Sequence, residues 1–117
     1  MEVSKRDWKI FREKIGGWQE NYMELLAQEY IALLQSTDKH PSEKFWELDE
    51  RIQTDKRAPG VHLELNKDNI CWDIARLIHD KAITIDDLDD FSDELKESVK
   101  KILNVIMRDG FNGKNKK

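Results

Sequence analysis

The sequence predicts an all-α, single-domain helical bundle, and three observations carry that prediction. Apolar residues recur at alternating steps of three and four along most of the chain. Residue pairs of helix-capping type stand ahead of those stretches, and nothing alternates at period two for long enough to build a sheet. The length of 117 residues suits one core. A chain of that size buries roughly two-thirds of its unfolded surface and holds together without staples. Charged and hydrophobic residues each account for 38 % of it, and the helical spacing of the latter argues against low-complexity disorder. The expected organisation is a folded domain over residues 1–110 and a flexible basic tail over 111–117.

The first helix, expected over 5–35, is the spine. Trp8, Phe11, Ile15, Trp18, Tyr22, Leu25, Leu26 and Leu33 project into one sector about 100° wide, the width of a face laid against a core. Ser4, followed three residues later by Asp7, has the spacing of an N-cap with an acidic first-turn partner. Unbroken, the helix would be about 45 Å long at 1.5 Å per residue, longer than a domain of this size is wide. Gly16-Gly17 therefore predicts a bend or an overhang. Glu29 points into the apolar sector and needs either water or a specific partner.

Ser42 is the expected cap of a second helix over 43–55, with Phe45, Leu48 and Ile52 inward, and Lys56 to Gly60 ends it. Val61 to Leu65 alternates apolar and polar, so it forms either a minor two-stranded bridge with 83–85 or an extended, partly buried loop. Asn66 opens a third helix over 67–80, turning Ile70, Ile74, Leu77 and Ile78 inward. Thr84 and Asp87 cap a short helix over 85–91 carrying Leu88 and Phe91. Ser92 opens the last helix, 93–109, with a stripe of Leu95, Val99, Ile102, Leu103 and Ile106 and with Gly110 as its C′ residue.

Lys5-Arg6-Asp7-Trp8-Lys9 through Trp18-Gln19-Glu20, Ser42-Glu43-Lys44-Phe45-Trp46, and the run from Ile83-Thr84-Ile85 to Asp93-Glu94-Leu95 resemble a group of small bacterial helical proteins of Firmicutes type. Those proteins have no assigned biochemical role, and some carry a multidrug-transporter label. The resemblance covers residues 3–100, implies a bacterial, cytoplasmic setting, and carries over no catalytic residue. The transporter label conflicts with the sequence, which has no apolar run near the roughly 18 residues a membrane span needs.

Composition narrows the function classes further. A net charge of −4 and a pI near 5.4 describe a soluble protein with no global attraction to nucleic acid or anionic membrane. Cys71 is the only cysteine, so an intrachain disulfide is impossible and a reducing compartment is expected. Residues 1–7 have no apolar core of signal-peptide type, in keeping with a cytoplasmic protein.

No arrangement of residues defines a reaction. His40 lies in a polar connector, neither Glu-x-x-His nor His-Glu-x-x-His occurs, and one cysteine with scattered histidines falls short of a zinc site. Cys71 adjoins the inward face of its helix and reads as a small buried hydrophobe. No catalytic residue, metal or cofactor is expected; a helical enzyme using His62 or His79 would require a pocket where carboxylates converge on them. Asp86 to Glu97 holds seven acids against one lysine, but no register places glycine at the sixth position of a calcium loop. The helix dipole accounts for most of these acids, and Asp86, Asp89 and Asp90 remain candidates for an acidic docking face.

The informative oddities lie off the core stripes. Trp72, Arg76 and His79 stand at i, i+4 and i+7 opposite the inward face of the third helix, and Trp46 lies off the line of the second. The economical expectation is that both helices are covered on two sides, by the long helix and by residues 57–65, because small domains waste little aromatic area. The alternative is a contact patch of the types enriched at interface hot spots. The expected function is thus a protein-binding module without catalysis, its partner another protein or itself. The alternative is nucleic-acid binding through Lys5, Lys9 and Arg12 at one end and Lys100, Lys101, Arg108 and the tail at the other.

Overall fold

Ser4 starts the longest element by accepting a hydrogen bond from the Asp7 backbone N–H at 3.0 Å. From that cap α1, Lys5–Gln35, runs unbroken through Gly16 and Gly17, both exposed to solvent. The structure, a computed structural model, describes residues 3–109. The buried residues of α1 are Asp7, Phe11, Ile15, Trp18 and Leu26. All but Leu26 belong to its first half, so the helix divides into a core-bound half and an overhanging arm. Of the expected stripe, Trp8, Tyr22 and Leu33 are half-buried, and Leu25 on the arm is 53 % exposed rather than inward.

The second helix, α2, spans Pro41–Asp55 and begins ahead of the expected start. His40, not Ser42, is its N-cap: the Glu43 carboxylate accepts from the His40 backbone N–H at 2.8 Å, and Pro41 takes the first helical position, where a missing N–H costs nothing. The face that α2 turns to α1 is polar. Lys44 Nζ donates to the Leu34 carbonyl at 3.1 Å, Arg51 to Glu29 at 2.6 Å, and the Tyr30 hydroxyl to Asp55 at 2.5 Å. This corrects the expected inner face: no residue of α2 is buried, Phe45 and Ile52 are exposed, and of the three only Leu48 is half-buried. Glu29 is both wet and paired.

The connector after α2 closes on α1. Gln19 Nε2 donates to the Pro59 carbonyl at 2.9 Å, and Gly60 lies so close to the Tyr22 ring that an added Cβ would collide with it. Glycine is required there by space. No strand occurs among the described residues, so the bridge between 61–65 and 83–85 is not formed. The Val61 and His62 N–H groups bond back to the Ala58 carbonyl instead, both at 2.9 Å. Residues 61–65 follow the loop alternative.

The third expected helix is split, because Asn66 Oδ1 accepts from the Asp68 N–H at 2.9 Å and tightens Lys67–Asn69 into a 3-10 turn ahead of α3, Ile70–His79. A second 3-10 turn, Ile85–Leu88, replaces the short helix over 85–91 and carries the expected reciprocal cap of Thr84 and Asp87. The last helix, α4, is Asp93–Asp109. Ile70, Ile74 and Leu77 of α3 meet Leu95, Val99 and Ile106 of α4 and Phe11, Ile15 and Trp18 of α1 in one buried cluster, closed by Leu88 and Phe91. The stripes of α3 and α4 are as expected. Gly110 and the tail over 111–117 lie outside the described residues.

Asp7 links the ends of this core. Its carboxylate is buried and accepts from the Ser92 backbone N–H at 2.9 Å and from the Ser92 hydroxyl at 2.6 Å, while Ser92 Oγ accepts from the Leu95 N–H at 3.1 Å. One carboxylate therefore holds the cap of α4 against the first turn of α1.

Candidate protein-interaction surface

Among the described residues, the arm made by α2 and the second half of α1 carries the most exposed aromatic rings. Trp46 is 66 % and Phe45 62 % exposed, and the two meet edge to face with centroids 4.9 Å apart. That overturns the expectation that α2 is covered on two sides: no residue of α2 is buried, and Phe45 and Trp46 are left to solvent. Phe45, Asp49, Ile52 and Lys56 follow one another at steps of four, three and four, and so do Met23, Ala27, Tyr30 and Leu34 on α1. The rows meet at a groove between the two helices, a cavity of about 260 Å³ lined by Met23, Leu26, Tyr30, Ile52 and Val61 with Asp55 and Lys56 at its edge. The row on α1 was missed in the sequence, where its only signal was that helical spacing.

The groove is held open by a polar clamp. Arg51 donates to Glu29, lies 3.6 Å from Asp55 and stacks on the Tyr30 ring at 5.4 Å, and burial together with the Asp55 hydrogen bond pushes the Tyr30 phenol up to about 12. These groups tie α1 to α2 and leave Phe45 and Trp46 outside the clamp.

The row on α3 is less uniform than its spacing predicts. Trp72 is 49 % exposed, but Arg76 and His79 are half-buried, and the arginines found on rings are Arg12 over Trp8 and Arg51 over Tyr30. His79 Nδ1 lies 3.5 Å from the Asp80 carboxylate and lines a cavity of about 500 Å³ with Ile78, Lys81, Leu103 and Met107. Trp46 is on the arm and Trp72 on the core-bound half, so the two tryptophans belong to separate surfaces.

Asp86, Asp89 and Asp90 are all exposed, with Asp90 3.3 Å from Lys14 of α1. No three His, Cys, Asp or Glu side chains gather as a metal site would require among the described residues. Lys5, Lys9, Arg12, Lys100, Lys101 and Arg108 are exposed as well. Lys9 pairs with Glu13 at 3.5 Å and Lys100 lies 3.9 Å from Glu97, so part of that basic charge is locally neutralised.

Two titratable groups are perturbed in the core-bound half. Cys71 is half-buried, less so than expected, and burial, reinforced by the charge of Asp7, raises its thiol, opposite to what an activated nucleophile needs. Asp73 is 6 % exposed, burial pushes its carboxyl up to about 6 against a partial offset from Arg76, and its Oδ2 has no hydrogen-bond partner. His62 is exposed beside Gln53, Lys56 and Arg57, apart from both.

No protein-family model, no curated protein and no solved structure matches this chain. Among the described residues no helix is long and apolar enough to cross a membrane. The geometry defines an all-α bundle with a projecting two-helix arm.

Proposed function

We propose that this chain is a non-catalytic protein-interaction module of the bacterial cytoplasm, and that the arm is its principal contact surface. The observation that carries the reading is the exposed, mutually packed Phe45–Trp46 pair, since exposed aromatic clusters on a protein surface mark places where another surface settles. Trp72 and, separately, the exposed Asp86, Asp89 and Asp90 are further contact candidates on the other half. Affinity capture from a bacterial host followed by mass spectrometry tests the reading. Trp46→Ala and Phe45→Ala should each weaken a specific partner about tenfold or more while leaving the helical circular dichroism unchanged, as truncation of a hot-spot aromatic does.

Nucleic-acid binding is the alternative. Lys5, Lys101 and Arg108 are exposed and make no ion pair among the described residues, which is the observation in its favour. It predicts retention on heparin that falls steeply with salt and is lost in Lys101→Glu and Arg108→Glu, with Trp46→Ala having no effect.

A further inference from the structure

We infer that the outward face of α2 receives an arginine-bearing segment of another protein, one guanidinium lying on the Trp46 ring among the carboxylates of Glu43, Asp49 and Glu50. The inference rests on the reading of the arm as a contact surface and names the chemistry of its partner.

The ring is the first argument. Trp46 is 66 % exposed and packs edge to face with Phe45, which steadies the indole without covering it. Glu43 stands three residues before it, Asp49 three after and Glu50 four after, so all three carboxylates are its neighbours on one face of the helix. All three are exposed. A guanidinium suits both halves of such a face, because it stacks flat on an indole and directs its N–H donors outward at carboxylates. A lysine ammonium is a compact, strongly hydrated point charge with no plane to stack.

Charge is the second argument. Trp46 lines an open concavity of about 970 Å³ together with Asp38, Glu43, Glu47, Asp49 and Glu50. The five carboxylates share it with two cations, Lys39 and Arg51, and both cations are already engaged. Lys39 lies 3.3 Å from Glu47, while Arg51 turns away to Glu29 at 2.6 Å and Asp55 at 3.6 Å, neither of which lines the concavity. Asp49 and Glu50 form no ion pair among the described residues. The face therefore draws a cationic partner and repels an anionic one, nucleic acid included.

Comparison within the molecule is the third. Trp72 is 49 % exposed, but the residue four positions after it is Arg76, a resident cation where Trp46 has Glu50. Asp86, Asp89 and Asp90 are exposed, but the ring beside them, Phe91, is buried. Among the described residues only the face of α2 joins an exposed ring to uncommitted acids.

Isothermal titration calorimetry of the full chain with a capped peptide of alternating arginine and serine tests this, since alternate residues of an extended segment share one side. The matching lysine and serine peptide is the comparison. The expected result is binding that weakens with salt and favours the arginine peptide about fivefold or more, and that Trp46→Ala weakens by a similar factor with unchanged helical circular dichroism. Trp46→Phe should keep part of the affinity, the pair Asp49→Asn and Glu50→Gln should lower it, and the pair Asp89→Asn and Asp90→Asn should leave it unchanged. No binding at low salt overturns the inference. So does equal binding of the two peptides, or equal binding by Trp46→Ala, because either leaves only undirected attraction between opposite charges. If the peptide fails in any of these ways while Trp46→Ala still loses a captured host protein, the arginine chemistry is wrong and the contact role of the arm stands. If neither the peptide nor the capture responds to Trp46→Ala, both fail.

Discussion

Lys81 occupies the left-handed region at φ 69°, where α3 ends. The Ala82 N–H bonds to the Leu77 carbonyl and the Lys81 N–H to the Ile78 carbonyl, both at 2.9 Å, the pattern in which glycine is the customary residue at this position. Lysine bears the cost of its Cβ there, so Lys81→Gly should stabilise the chain by about 0.5–1 kcal/mol, read as a rise of several degrees in Tm. Asp73 stores a larger conflict. Its native carboxyl is raised to about 6 from an ordinary value of 3.8, so between about pH 4 and 6 the folded state holds a proton that the unfolded chain has released. That contribution to stability is complete below the lower value and is lost as pH rises through the upper one. Asp73→Asn should therefore stabilise by about 1 kcal/mol near neutral pH and confer little or nothing near pH 4, as urea midpoints at the two pH values will tell. Neither residue announced itself in the sequence: a lysine after a helix and an aspartate within one are ordinary until the chain's path is known.

The elements divide into those whose neighbours are local and those whose neighbours are distant. The caps at Ser4, Thr84 and Ser92 and the stripes of α3 and α4 were legible because capping and amphipathic spacing are properties of a few consecutive residues. The orientation of α2 was not. Its apolar row was visible, but which row meets α1 is decided by Arg51 with Glu29 and Asp55 with Tyr30, pairs separated by 22 and 25 residues. Periodicity says nothing of what stands opposite. The same clamp makes the hairpin alkali-sensitive, because a phenol held above its ordinary value of 10 stabilises the folded arm only while it keeps its proton. Ultraviolet titration of tyrosinate should show Tyr30 ionising near pH 12, and Asp55→Ala should bring it down toward 10. An unchanged titration in that variant would remove Asp55 from the account.

At the scale of the whole molecule, the extents of 51 × 30 × 23 Å and a radius of gyration of 16.4 Å exceed the roughly 13 Å expected of a compact chain this long. The excess is the arm. The core-bound half depends on Asp7, which ties the start of α1 to the cap of α4, and Asp7→Ala should cost about 2–3 kcal/mol because it leaves two donors of Ser92 unpaired as well as deleting a charged acceptor. Denaturant unfolding will read that loss. The arm has no equivalent dependence on Phe45 and Trp46, which are exposed, and its role as a contact surface turns on that contrast. The most direct test is the unfolding free energy of Trp46→Ala at a concentration where the chain is monomeric. The prediction is a change within about 0.5 kcal/mol, as for a surface substitution, whereas a loss of about 3 kcal/mol or more would make Trp46 part of the core and contradict its role as a contact residue.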